Sequence, residues 1–195
     1  SSQQSRIMWA VKISDNPNGM AMFSSRGPAT DKRIKPEISA PGTNILSNRS
    51  PVPTAEVMWG EYNQYYVFAG GTSMATPLTA GAAILTREIL AKRYGITNPS
   101  AALIKATLVH TAFDMYPGQY GEGTPTQELK TRRPNSDEGY GRVDMKQLVD
   151  IGAAMNLVDE EAGLATGEKF ERTVQVVNGK LLANLMYTDA PGTPA

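Results

Sequence analysis

Gly70-Gly71-Thr72-Ser73-Met74-Ala75-Thr76-Pro77 joins an apolar run at residues 65–69 (YYVFA) to the clearest helical pattern in the chain. Leu78, Ala82, Leu85 and Ile89 recur at spacings of four, three and four, the period of one helix face. Pro77 fits a first helical turn, Lys92 and Arg93 fit the last, and Gly95 fits the position just after it. A strand, a glycine-rich turn and a helix therefore follow one another, with a serine at the helix start. A serine hydroxyl becomes a nucleophile only when a base takes its proton and donors stabilise the oxyanion it creates. The free N–H groups and dipole of a helix N-terminus supply part of the second requirement. The same position also suits Ser73 or Thr72 as an ordinary N-cap, so local chemistry leaves both readings open.

Working outward, residues 7–13 (IMWAVKI) read as a buried strand closed by the turn signal Asp15-Asn16-Pro17-Asn18-Gly19. Phe23-Ser24-Ser25-Arg26-Gly27-Pro28 reads as loop. Lys35-Pro36-Glu37-Ile38-Ser39-Ala40-Pro41-Gly42 holds at most a short strand between its prolines. Residues 44–47 (NILS) continue as strand, and residues 48–64 are polar around Trp59. After the long helix, a second is expected over residues 100–112, with Leu103, Ala106 or Thr107, and His110 on one face. Residues 117–138 read as a long exposed loop, followed by Gly139-Tyr140-Gly141-Arg142-Val143-Asp144 and a short amphipathic helix over residues 145–154. Beyond residue 156 the pattern turns to strand alternation: residues 170–177 and 181–187 flank Asn178-Gly179, a strong hairpin signal.

Composition bounds the function. The 195 residues carry 19 basic and 19 acidic side chains, a formal net charge of zero, so no whole-chain field draws in nucleic acid. The absence of cysteine removes disulfides, thiol nucleophiles and Cys-ligated metals. The weakly polar stretch at 75–85 falls short of the roughly 20 apolar residues that span a bilayer, so no membrane partner is expected. The start Ser1-Ser2-Gln3-Gln4-Ser5 has no signal-peptide pattern and reads as a processed or cut product.

Gly71-Thr72-Ser73-Met74-Ala75-Thr76-Pro77, with Ala80-Gly81 after it, resembles the nucleophile segment of the subtilisin-like serine proteases. The segments at 23–28, 35–42 and 139–143 match that family in its order, over roughly residues 20–145. Leu78-Thr79 departs from it on the helix. The resemblance implies an α/β fold with a mostly parallel sheet and flanking helices, of which residues 1–156 would be the C-terminal part of the catalytic domain. Residues 157–195 would be a linker and the first strands of an incomplete β-sandwich, which the tail Tyr187-Thr188-Asp189-Ala190-Pro191-Gly192 also resembles. It implies a serine endopeptidase acting on peptide or protein substrates through an acyl-enzyme, and a secreted or extracytoplasmic location. Ser73 would be the nucleophile, its own N–H an oxyanion donor, and Met74 a neighbour on the leaving-group side.

The family's Asp and His precede the serine, in the order that subtilisin exemplifies. Here the single histidine, His110, follows Ser73, and Asp15 and Asp31 stand in turns. Asn16, Asn18, Asn44, Asn48 and Asn63 lack the context of the family's oxyanion Asn. The catalytic Asp, His and Asn are therefore expected on an N-terminal half outside this chain, a partner required for activity. An α/β-hydrolase order fails, because Gly71-Thr72-Ser73-Met74-Ala75 lacks the second glycine of the elbow and only Glu88 lies between Ser73 and His110. No cofactor is required for the chemistry. Structural calcium occurs in the family, with Asp137, Glu138 and Asp144 as candidate ligands against a reading as solvated surface charge. The competing class is a catalytically dead interaction module on the same scaffold.

Overall fold

The apolar runs on either side of the polar stretch 49–64 pair with each other. The computed structural model describes residues 16–151, 155–159, 163–176, 179 and 181–188. Strand β1 (Ile45–Asn48) lies antiparallel to β3 (Tyr66–Ala69), with Ile45 opposite Ala69 and Asn48 opposite Tyr66. Strand β2 (Gly60–Asn63) takes the other edge of β3, giving the order β1-β3-β2. Asn63 Oδ1 accepts from the N–H groups of Tyr65 (2.8 Å) and Tyr66 (3.0 Å), which closes the tight turn into β3. Only the central strand reaches the core, through Val67 and Ala69.

The expected mostly parallel sheet is not what the described residues form. A two-residue connection such as that between β2 and β3 joins only antiparallel neighbours, whereas parallel strands need a long crossover. The one parallel pairing among the described residues is the isolated bridge between Ser39 and Arg142. The predicted strand at 7–13 lies outside the described residues. At the C-terminal end the described residues between 163 and 188 form no strand, and Leu181, Leu182, Leu185 and Tyr187 are exposed; residues 177, 178 and 180 of the expected hairpin and the tail from 189 lie outside the described residues.

Helix α1 spans Thr72–Tyr94. It ends where Gly95 enters the left-handed region at φ 72°, and the N–H groups of Gly95 and Ile96 both reach the Leu90 carbonyl. Pro77 falls inside the helix rather than at its first turn, so the Ser73 carbonyl loses its usual donor. The buried line is Ala82, Thr86 and Leu90, with Thr86 Oγ1 satisfied by the Ala82 carbonyl at 2.8 Å. Leu78 and Leu85, expected inside, are exposed together with Ile84. Apolar residues occur on both sides of α1, and periodicity alone cannot say which side is covered.

Helix α2 (Ala101–His110) is capped by Ser100, whose Oγ accepts from the Leu103 N–H at 3.0 Å. Leu103, Thr107, Leu108 and Val109 are buried. Asp159 holds the same cap from outside, accepting from the Ser100 N–H (2.7 Å) and hydroxyl (2.5 Å). Helix α3 (Met145–Ile151) anchors through Leu148, and Asp144 Oδ1 accepts from the Gln147 N–H at 3.0 Å. The expected loop at 117–138 is irregular but not wholly exposed: Leu129 is fully buried in a cluster with Met20 and Met115.

Candidate active site

The four segments that carry the sequence resemblance meet around the start of α1. The Gly71 N–H donates to the Gly42 carbonyl at 2.7 Å, joining the Pro41-Gly42 segment to the turn before Ser73. A Cβ on Gly42 would lie 2.9 Å from the Gly71 oxygen, so only glycine permits this approach. Behind it, the Ser39 N–H donates to the Gly141 carbonyl (2.9 Å), the Val143 N–H to the Ser39 carbonyl (2.8 Å), and the Tyr140 N–H to the Glu37 carbonyl (2.9 Å). The Gly27 N–H donates to the Ser136 carbonyl at 2.9 Å, and Arg26 pairs with Asp137 at 2.7 Å. Segments 23–28, 35–42 and 139–143 thus form one backing for the glycine turn.

The N-cap of α1 is Gly71, at φ 143° and ψ 164°, with no side-chain capping bond. Ser73 is therefore already helical, exposed, and free of the capping role that competes with the nucleophile reading. Among the described residues its hydroxyl has no hydrogen-bond partner, and its N–H, in the first turn, has no backbone acceptor. Met74 is half-buried beside the turn. The site thus offers an unbound hydroxyl next to an unbound N–H donor at the positive end of a 23-residue helix.

Sequence reading does not single out Trp59, because a lone aromatic in a polar stretch has no periodic neighbours. Its indole lies against Gly70, where a Cβ would come within 2.0 Å of the ring, and Phe23 meets it edge-on at 6.0 Å between centroids. Both rings keep about half their surface exposed, forming an aromatic wall beside the serine turn.

Among the described residues no base of this chain hydrogen-bonds to the Ser73 hydroxyl. His110 ends α2, half-buried, and desolvation, helped by the nearby Arg133, pushes its pKa down. Asp31 pairs with Arg33 at 2.6 Å. Asn16 and Asn63 close turns, and Asn18 accepts from Arg142 at 3.0 Å. Asp15 lies outside the described residues.

The acidic trio behaves differently from a solvated patch. Asp137 is engaged by Arg26, Asp144 caps α3, and Glu138 is fully buried, contrary to its reading as surface charge. Glu138 Oε2 accepts from the Met115 N–H at 3.0 Å and Oε1 from Asn135 Nδ2 at 3.1 Å. Burial pushes its carboxyl pKa up against these two bonds. Both Glu138 oxygens and one oxygen each of Asp137 and Asp144 are thus engaged within the protein, and among the described residues no three His, Cys, Asp or Glu side chains group as metal ligands. Among the described residues, no helix is long and apolar enough to cross a membrane.

Comparison with known proteins places this geometry in a family context. The profile of the Subtilase family matches residues 2–141. The PII-type proteinase of Lactococcus lactis subsp. cremoris is 32% identical over 155 residues, covering 76% of this chain and 7% of its own length. The subtilisin-like protease SBT1.4 of Arabidopsis thaliana is 32% identical over 148 residues, 73% of this chain and 18% of its own. The serine protease AprX of Bacillus subtilis is 43% identical over 74 residues, 37% of this chain and 17% of its own. The chain therefore spans less than a fifth of the length of these relatives. Among solved structures, the CspB protease of Clostridium perfringens is 28% identical with a TM-score of 0.46, covering 68% of this chain and 23% of that one.

Proposed function

This chain belongs to the subtilase family, and on that premise we propose that Ser73 is the nucleophile of a serine endopeptidase. The observation that carries the reading is the exposed Ser73 hydroxyl, unused in capping, beside the unbound N–H groups at the start of α1. In this reading Ser73 Oγ attacks the carbonyl carbon of a peptide bond while its proton passes to a histidine base. The oxyanion that forms faces the Ser73 N–H and the helix N-terminus. Collapse expels the amine, which takes up the proton, and water then hydrolyses the acyl-enzyme. Met74 lines the leaving-group side. The histidine, its aspartate partner and the second oxyanion donor, an Asn, come from an N-terminal half outside these 195 residues, because His110 follows Ser73 in the chain rather than preceding it and Asp31 pairs with Arg33. The substrate is a peptide or protein, the chemistry uses no cofactor, and the setting is extracytoplasmic.

A fluorophosphonate tests this. Ser73 Oγ would form a P–O bond as the P–F bond breaks, the proton again passing to the base. Labelling at Ser73 is expected in the complex with the complementing half, and Ser73→Ala should abolish it. No labelling in a folded complex would instead favour a catalytically dead interaction module.

A further inference from the structure

Glu138 is the one carboxylate among the described residues that is fully buried, and no step of the proposed chemistry uses it. A buried carboxyl without a purpose for its charge is costly, and here its oxygens are aimed at two donors on different segments. Oε2 takes the Met115 N–H at 3.0 Å, just beyond α2, and Oε1 takes Asn135 Nδ2 at 3.1 Å. Asn135 cannot turn its amide over to adapt. Its Oδ1 already accepts from the N–H groups of Asp137 and Glu138, both at 2.9 Å, and its Nδ2 also donates to the Thr131 carbonyl at 3.1 Å. The charged groups that act on the carboxyl are Asp114, which opposes its ionisation, and Arg133, which favours it.

The backbone of Glu138 continues the connection. Its carbonyl accepts from Ser39 Oγ at 3.1 Å, and Ser39 is clamped on both sides by Gly141 and Val143. Three residues later, the Gly42 carbonyl holds the Gly71 N–H at 2.7 Å, two residues before Ser73. We propose that Glu138 is a positioning residue for Ser73: its buried carboxyl locks the 135–139 turn to Met115, and through Ser39 and Gly42 that lock sets the turn from which Ser73 projects. The inference rests on the proposed role of Ser73 and adds a residue to that site.

The test uses the complex with the complementing half and a fluorophosphonate probe, with rates normalised to titrated, folded sites. Glu138→Gln keeps the size but turns one acceptor into a donor, so either Met115 N–H or Asn135 Nδ2 loses its partner. The maximal labelling rate should fall about tenfold, equivalent to about 1.4 kcal/mol of barrier, while the half-saturating probe concentration stays unchanged. Leu148→Ala, which opens a cavity under α3 away from the site, should lower stability without lowering the maximal rate. Ser39→Ala cuts the link at the Glu138 carbonyl, together with the weak 4.0 Å contact of the same hydroxyl with Met20 Sδ, and should lower the maximal rate several-fold; it decides the matter if the Glu138 variant does not fold. An unchanged maximal rate in folded Glu138→Gln, or in Ser39→Ala where the Glu138 variant fails to fold, overturns the inference, as does an equal fall in Leu148→Ala. Labelling that persists in Ser73→Ala would instead overturn the reading of Ser73 itself.

Discussion

Adding one methyl group at two positions of the same helix should give opposite results. Gly71 caps α1 at φ 143° and ψ 164°, a region that side-chain-bearing residues avoid at a cost of about 1–3 kcal/mol. Space is not the obstacle, since a Cβ there would find its nearest atoms, Met74 Sδ and the Ser73 N, at 3.9 Å. Gly71→Ala therefore strains the backbone or lets the turn relax, and relaxation gives up the 2.7 Å bond to Gly42. Gly81 lies in the helix interior, where a Cβ would meet nothing within 4 Å, so Gly81→Ala should stabilise by about 0.5–1 kcal/mol. The two variants should differ by roughly 1.5–4 kcal/mol. The assay is urea unfolding of the protein together with the polypeptide that completes its catalytic domain, where their midpoints should lie about 1 M apart. Phosphonate labelling of Ser73 should slow in Gly71→Ala and hold in Gly81→Ala. A Gly71→Ala midpoint at or above that of the unsubstituted protein would refute the reasoning, as would a lower midpoint for Gly81→Ala.

Other consequences are open to direct measurement. Glu37 is partly desolvated, which alone would raise its pKa, but hydrogen bonds and charge from Lys105 (2.8 Å) and Lys35 hold it at about 2. A depressed folded pKa means the stabilisation is complete above the ordinary carboxylate value and is lost as pH falls from about 4.5 towards 2. After screening at a partly exposed site this amounts to roughly 1 kcal/mol. Acid titration of stability should show that loss, and Glu37→Gln should flatten it. Asp159→Ala should cost about 1 kcal/mol by freeing the Ser100 N–H and hydroxyl from their acceptor. Hydrogen exchange should then rise at the start of α2, whereas unchanged protection there would show that Asp159 does not hold the cap.

Local signals make the serine helix legible. Glycines before it, Lys92 and Arg93 in its last turn and Gly95 after it are short-range features, and α1 ends where they indicate. The placement of its faces is not legible, because Leu78 and Leu85 are as apolar as Leu90 and only tertiary packing separates them. Strand β2 escapes sequence reading because Gly60-Glu61-Tyr62-Asn63 is an edge strand with exposed side chains, held by pairing rather than burial. Glu138 reads as surface charge for a related reason. Its partners Met115 and Asn135 are brought together by the fold, and nothing in the neighbouring residues announces a buried carboxyl. The resemblance segments at 23–28, 35–42 and 139–143 carry the most, since their glycines mark the close approaches that gather them behind Ser73.

Ser73, as proposed, is a nucleophile completed by residues from outside this chain. Fluorophosphonate labelling with and without the complementing half, mapped by peptide mass spectrometry, tests it most directly. Negligible labelling of residues 1–195 alone is expected, because without a base the hydroxyl stays protonated near neutral pH. Rapid labelling is expected at Ser73 in the complex, abolished by Ser73→Ala. Rapid labelling of Ser73 in the chain alone would contradict it and turn attention to His110 as a base, and labelling of the complex at any other serine would remove Ser73 from the mechanism.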